Sequence, residues 1–354
     1  MKLIHIADLH LDSPMEANLG AEQAKERKNE ILSTFGRLVK TADDIGVRAI
    51  LIAGDLFDST HITKKTERYV LDLIRSYPNL SFFYLAGNHD LGNALLSTEE
   101  KPSNLYTFGK EWTSYELDGV TVTGSESPDL EALSLNPERV NILLLHGQES
   151  KSRGAKKEDI IRFPLLKNKH IDYVALGHLH EYRTAAIDKR CTACYSGCLE
   201  GRGFDECGPK GYVLLEIDGK RLQHTFFPIA RRTLHTVLCD ISGITSHLEL
   251  ENKLLSSVAT LASDDLVKVI LRGESDPGLQ KDLRHLTQIL GERFYFAKLR
   301  DESRMQIDPK DYAHDVSLRG EFVRRVLASS LSAEEKERVI ACGFAALTGE
   351  ELGL

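Results

Sequence analysis

Five times within its first 180 residues the chain runs through a short apolar stretch and stops on aspartate, asparagine or histidine. Leu3 to Ala7 leads into Asp8-Leu9-His10, and Ile50 to Ala53 into Gly54-Asp55-Leu56-Phe57-Asp58. Phe82 to Ala86 leads into Gly87-Asn88-His89-Asp90, Ile142 to Leu145 into His146-Gly147, and Val174 to Leu176 into Gly177-His178-Leu179-His180. Runs so short, continuous and apolar predict strands buried on both faces. Between the early ones, Ile31, Leu32, Phe35, Leu38, Val39, Ala42 and Ile45 recur at helical spacing, as do Tyr69, Val70, Leu73, Ile74 and Tyr77. Alternating strand and helix implies sheets covered by helices. Ligands in open α/β sheets sit beyond the carboxyl ends of strands, so the five endings are expected to converge on one crevice.

Any one ending has a bland reading, because Asp, Asn and His also cap helices and fill turns. Five in order, each after an apolar run, point to a site. The donors are carboxylates, imidazoles and one amide carbonyl, without a thiolate. That set suits manganese or iron, and zinc or magnesium less specifically. Seven donors are too many for one catalytic ion with open positions. They suit two ions about 3.5–4 Å apart sharing a carboxylate, able to hold a hydroxide and clamp a phosphoryl oxygen.

Beyond Asp172 the texture changes. Thr192 to Ser196, Tyr212 to Ile217 and Leu222 to Phe227 predict hairpin strands, with Asp218-Gly219 as a turn signal. A second unit begins near Arg231. Strands are expected at His235–Ile241, Leu266–Leu271 and Arg293–Leu299, with helices around 248–261 and 279–290. Two tail helices are expected near 318–329 and 333–347, the second opened by a Ser332/Glu335 capping box. The domain expectation is therefore 1–230, a small α/β domain at 231–304, and a helical tail at 305–354.

The order D-x-H, G-D-x-x-D, G-N-H-D, H and G-H-x-H resembles that of the calcineurin-like metallophosphoesterase superfamily. The text of His5–Pro14, Gly54–Asp58 and Tyr195–Arg202 further resembles the SbcD-type DNA-repair nucleases, and among them the YhaO-type bacterial exonucleases. The resemblance implies a four-layer αββα sandwich with a small α/β capping domain and a C-terminal helical tail. It implies a two-metal DNA phosphodiesterase of repair, an exonuclease or an exonuclease that is also an endonuclease; of the metals that suit the donor set, manganese is expected first. Asp8, His10 and His180 would hold one metal, and Asn88, His146 and His178 the other, with Asp55 bridging. His89 would protonate the leaving oxygen or support the charged transition state, Asp58 would orient this histidine, and Asp90 would buttress the Asn88-His89 turn. The resembling nucleases work as dimers, and a C-terminal helical pair grips an ABC/SMC-like ATPase. Two readings compete: hydrolysis of a nucleotide, cyclic nucleotide or phosphoprotein, and a weakly catalytic subunit that recruits an ATPase.

Other signals are thinner. Lys151, Arg153, Lys156 and Lys157 follow His146 and read either as phosphate-backbone contacts or as a solvated loop. Arg202 reads as a phosphate contact or a structural ion pair. Cys191, Cys194, Cys198 and Cys207 are loosely spaced for zinc, and Cys191 and Cys194 fall on a strand with side chains to opposite faces. They read as reduced thiols. His5, His61, His170, His224, His235, His247, His285 and His314 show no partner pattern, and Trp112 reads as packing. The tail stripes Phe322, Val323, Val326, Leu327 and Val339, Ile340, Phe344, Leu347 are either core-facing or a partner surface.

No apolar run approaches the roughly 18 residues of a membrane span, and the short N-terminal apolar stretch closes on Asp8. The expectation is a cytoplasmic protein. The formal charge of -8 excludes a histone-like chain coated in positive charge. Asp8, Asp55, Asp58 and Asp90 contribute four negative charges at the expected site, which two divalent cations would offset locally.

Overall fold

The computed structural model describes residues 1–15, 19–58, 62–90, 101–149, 160–276, 278–305, 312 and 314–348. The chain divides into two compact units, Met1–Leu234 and His235–Leu354. Strands of the first are β1 (Lys2–Ile6), β2 (Ala49–Ala53), β3 (Ser81–Leu85), β4 (Leu105–Thr107), β5 (Thr113–Leu117), β6 (Val120–Gly124) and β7 (Val140–His146). They continue with β8 (Gln148–Glu149), β9 (Ile160–Ile161), β10 (Tyr173–Gly177), β11 (Arg183–Ala186), β12 (Thr192–Tyr195), β13 (Gly211–Asp218) and β14 (Arg221–Pro228). Two six-stranded sheets result, ordered β14-β13-β1-β2-β3-β4 and β11-β12-β10-β7-β6-β5. Their central pairs are parallel.

Strand alternation makes the layers. In β2, Ile50 and Ile52 face one way, and Ala49, Leu51 and Ala53 the other. The first pair joins Ile4, Ile6 and Phe82 against helices α1 (Ala21–Asp44) and α2 (Lys64–Arg75). Those helices bury Ile31, Phe35, Leu38, Val70 and Ile74. The other face meets Val122, Ile142, Leu144, Tyr173 and Ala175 of the second sheet. Both faces are thus dry, which is why the strands read as continuous apolar runs. Among the described residues the outer face of the second sheet is covered by turns and one 3-10 helix, Phe163–Leu166, carrying Leu130, Leu133, Phe163 and Leu166.

His5 is the polar exception between the sheets. It is fully buried, and its Nδ1 lies 3.0 Å from the Tyr173 hydroxyl. Burial pushes its pKa down to about 3, against a smaller opposing pull from a backbone hydrogen bond at Leu176. An unfolded histidine takes its proton near pH 6.5, whereas folded His5 stays neutral to about 3. Its contribution to stability is therefore whole above pH 6.5 and is lost as pH falls through that window, at up to about 1.4 kcal/mol per unit. Urea unfolding at pH 7.5 and 5 should show a shallower pH dependence for His5→Phe than for wild type. An unchanged slope would contradict this assignment.

The second unit has a three-stranded sheet, β15 (Leu234–Asp240), β16 (Leu266–Arg272) and β18 (Phe296–Asp301), and a short pair, β17 (Glu274–Ser275) with β19 (Arg304–Met305). Helices α3 (His247–Ser257) and α4 (Leu283–Arg293) cover the sheet through Leu250, Leu254, Leu286 and Leu290. Helices α5 (Leu318–Leu327) and α6 (Ala333–Thr348) pack on each other through Val323, Val326, Ile340 and Phe344. Most of each apolar stripe is therefore taken up by the partner helix; the Leu347 side chain lies outside the described residues. Ser332 and Glu335 exchange the expected reciprocal capping bonds. No helix of the described residues is long and apolar enough to cross a membrane.

Candidate metal centre

Parallel pairing sets the strand ends side by side: Ile6 with Ile52, Ala53 with Leu85, and His146 with Gly177. The segments beyond β1 and β2 are stitched together by Asp8 N–H to Gly54 O at 3.0 Å and His10 N–H to Asp55 O at 3.0 Å. Glycine permits the close approach across the sheets. A Cβ on Gly87 would collide with the Asp55 carboxylate, and one on Gly54 with the His146 ring. Asp8, His10, Asp55 and His178 have φ of 54°, 47°, 51° and 97°, the left-handed region that side chains other than glycine rarely adopt. Strained backbone concentrated on four donor-bearing residues marks a place where position outweighs local preference.

Three overlapping clusters of donors result among the described residues. Asp8, His10 and His180 form one, Asp8, Asp55 and His146 a second, and His10, Asp58 and His89 a third at the exposed edge. In the first, His10 Nε2 faces His180 Nε2 at 3.1 Å. The other nitrogen of the His180 ring donates to Glu206 Oε1 at 2.7 Å, and His10 Nδ1 lies 2.9 Å from Asp58 Oδ1 without the alignment of a hydrogen bond. With both rings neutral and protonated on Nδ1, two lone pairs meet nose to nose, an arrangement that fits a cation between them; burial lowers the His180 pKa, but the Glu206 carboxylate more than offsets it, so a proton competes for that place. In the second, His146 Nδ1 donates to Ala53 O at 2.9 Å, which leaves its Nε2 lone pair toward Asn88 Oδ1 at 2.9 Å and Asp55 Oδ2 at 3.3 Å. Three electron-rich atoms meet there, so the residues present fit a metal. His178 lies alongside, its ring 5.4 Å from that of His146, and its N–H donates to Asp8 Oδ1 at 2.9 Å.

The electrostatics show a proton and a metal competing for the same Nε2: burial disfavours a charge on His146, but the Asp55 carboxylate more than offsets it and pushes the pKa up to about 9. Burial likewise opposes the Asp55 charge, yet His146 holds that carboxyl well below its usual range. Burial raises Asp8 and lowers His10, which leaves His10 neutral and able to donate a lone pair. Asp90 is buried and accepts from the N–H groups of Phe57 at 2.8 Å, Leu56 at 3.1 Å and Gly87 at 3.1 Å. It ties the second and third strand ends together, and burial pushes its pKa up to about 6.

His89 sits at the exposed edge, with its N–H on Asp55 Oδ1 at 3.0 Å. Its Nδ1 is 3.2 Å from the main-chain oxygen of Asp58, not from the carboxylate. His10 and Arg202 claim that carboxylate instead, Arg202 Nη1 donating to Asp58 Oδ1 at 2.9 Å. Arg202 also donates through Nη2 to Glu206 Oε1 at 2.9 Å, so its guanidinium bridges two carboxylates beside the centre. Lys151, Arg153, Lys156 and Lys157 lie outside the described residues. Cys191 packs in the outer cluster and Cys194 between the sheets, and burial pushes both thiols up to about 12. Trp112 donates to Asp129 O at 3.0 Å and packs on the outer cluster.

Glu206 orients His180 and anchors Arg202, and its position four residues after Arg202 is all that marks it in the sequence. The Tyr195–Arg202 segment has a structural role. There Glu200 is buried against Arg27 of α1 at 3.3 Å and accepts from Thr34 Oγ1 at 2.7 Å, fastening this segment to the helix.

The calcineurin-like phosphoesterase family model matches residues 1–182. The chain belongs to the calcineurin-like phosphoesterases. These enzymes bind two divalent metal ions and hydrolyse phosphate esters. The chain is similar to the metallophosphoesterase YhaO of Bacillus subtilis, with 24% identity over 77% of this chain and 72% of that one. It is similar to the SbcD component of the nuclease SbcCD of Escherichia coli, with 22% identity over 96% of each chain. It is also similar to the DNA double-strand break repair protein Mre11 of Methanosarcina mazei, 25% identical over 76% of this chain. This chain spans 43% of that Mre11.

Proposed function

We propose that this calcineurin-like phosphoesterase is a two-metal DNA phosphodiesterase, an exonuclease of DNA repair that works in the cytoplasm. The observation that carries the chemistry is the meeting of histidine lone pairs with carboxylate and amide oxygens at the ends of five strands. Asp8, His10 and His180 would hold one ion and Asn88, His146 and His178 the other, with Asp55 between them. Two such ions, manganese first, supply an activated water and positive charge where the phosphoryl group gains negative charge. The names of the SbcCD and Mre11 relatives support DNA as the substrate.

The chain's own residues do the rest. His180 is oriented by Glu206, and the Asp58 carboxylate stands beside His10 Nδ1. The Asp58 main-chain oxygen accepts from His89 Nδ1, and the imidazolium form of the ring carries on Nε2 the second proton, which passes to the departing sugar oxygen and leaves the ring neutral. Arg202 keeps Asp58 and Glu206 charged and in place. DNA contacts are assigned to Lys151, Arg153, Lys156 and Lys157, with Arg202 at the inner edge. Two copies of the chain would work together. An SMC/ABC-type ATPase partner would engage the C-terminal helices.

The test sets manganese-dependent degradation of end-labelled DNA beside hydrolysis of a nitrophenyl phosphodiester, a phosphomonoester and a cyclic nucleotide. Release of nucleotides from DNA ends supports the proposal. Turnover of the small esters with DNA left intact moves the substrate to a nucleotide or phosphoprotein. No turnover of any substrate by protein loaded with manganese overturns the enzymatic reading.

A further inference from the structure

Outside the phosphoesterase centre, the second unit brings together His247, Glu251 and His285, whose donor atoms all lie within 4.8 Å of one another. We propose that these three side chains form a separate site for a borderline divalent metal of the zinc class, fastening α3 to α4.

The placement is built by two helices. His247 is the first residue of α3, and Glu251 lies one turn further on the same face. His285 comes from the first turn of α4. The rings of His247 and His285 are tilted at 37° with centroids 5.6 Å apart. His285 Nε2 is 3.6 Å from Glu251 Oε2. That is too long for a good hydrogen bond. It is close to the separation of about 3.4 Å between two ligands on a tetrahedral ion with bonds near 2.0–2.1 Å. His247 Nδ1 donates to Gln280 O at 3.3 Å, which fixes the ring and leaves Nε2 for a metal.

Rigidity favours the same reading. Leu250 and Leu254 beneath α3, and Leu286 and Leu290 beneath α4, are fully buried, so both helices are seated on the sheet before any ion arrives. The donors themselves are half-buried or exposed, which gives an ion access. Two imidazoles and one carboxylate select zinc, cobalt or nickel over magnesium and calcium. Three protein donors leave a fourth position for water or a group from another molecule.

The test uses the full chain with zinc and cobalt(II) as probes. Wild type and the double variant His247→Ala/His285→Ala are loaded with excess zinc, freed of unbound metal and analysed for content. Wild type should retain one equivalent more, while phosphodiester hydrolysis is the same in both. Cobalt titration should show a ligand-field absorption in wild type that the variant lacks. Glu251→Gln, which keeps the side chain's shape, should weaken the site at least about tenfold, as the loss of supporting groups alone does elsewhere. It carries the decision if the double variant does not fold. Equal metal content and equal cobalt spectra in wild type and a folded variant would overturn the proposal, leaving a surface histidine–carboxylate contact.

Discussion

His89→Ala is expected to lower kcat for phosphodiester hydrolysis by about 10²–10⁴-fold, the usual worth of a positioned general acid. Metal content should not change, because His89 supplies none of the seven proposed ligand atoms. The ring sits at the exposed edge, so its removal leaves no buried cavity and the fold should persist. Asn88 and Asp90 stay anchored by His146 and by three backbone N–H groups. A substrate whose leaving group needs no proton, such as a nitrophenyl ester, should lose much less. Equal losses for both substrates would place His89 in binding or folding instead.

Asp55→Asn should have a larger effect. The carboxylate lies 3.3 Å from His146 Nε2 and 3.8 Å from His10 Nε2, so it reaches the donor clusters of both proposed ions. The amide keeps an acceptor for the His89 N–H, and asparagine tolerates a φ of 51°. What is lost is the charge between the two proposed ions. Activity should fall by at least about 10³-fold, at the upper limit of what one transition-state donor is worth. Bound metal should drop below two equivalents while circular dichroism stays that of wild type. Full activity with two metals bound would remove Asp55 from the bridging position.

The two variants differ in the readout that matters. One separates proton transfer from metal binding, and the other removes metal binding itself.

Much of the fold was legible because both faces of the central strands are dry. A strand such as Ala49–Ala53 leaves little choice but burial, and the polar residue that follows it lies at a strand end. Strands with a wetter face were harder to see. Thr113–Leu117 is half polar and was not predicted, although Asp118-Gly119 after it carries the turn signal that was read at Asp218-Gly219. Both Asp118 and Gly119 have positive φ, as a tight hairpin turn requires.

The centre divides the same way. Its donors are legible from strand endings, because there the chain order and the geometry coincide. Supporting groups come from elsewhere: Glu206 from a loop and the Ala53 oxygen from the main chain. Main-chain acceptors carry no sequence signal, which is also why Asp58 was expected to act on His89 through its carboxylate. His247 and His285 stayed invisible for a related reason. Each is ordinary within its own helix, and only the packing of α3 on the sheet beside α4 brings them together.

The acidity of the chain bears on the assay conditions. With a formal charge of -8, binding to DNA by an overall basic surface is excluded. On the proposed reading, DNA would be held through the bound ions and a few cations near the centre, and binding should weaken with salt in proportion to the few phosphates contacted.

The most direct measurement is digestion of end-labelled duplex DNA by the purified chain at low salt, with manganese and with a chelator. Nucleotides should be released from the ends with manganese, none with the chelator, and almost none by His89→Ala carrying the same metal. Intact DNA in the presence of a wild-type protein holding two metal ions would contradict a two-metal DNA exonuclease.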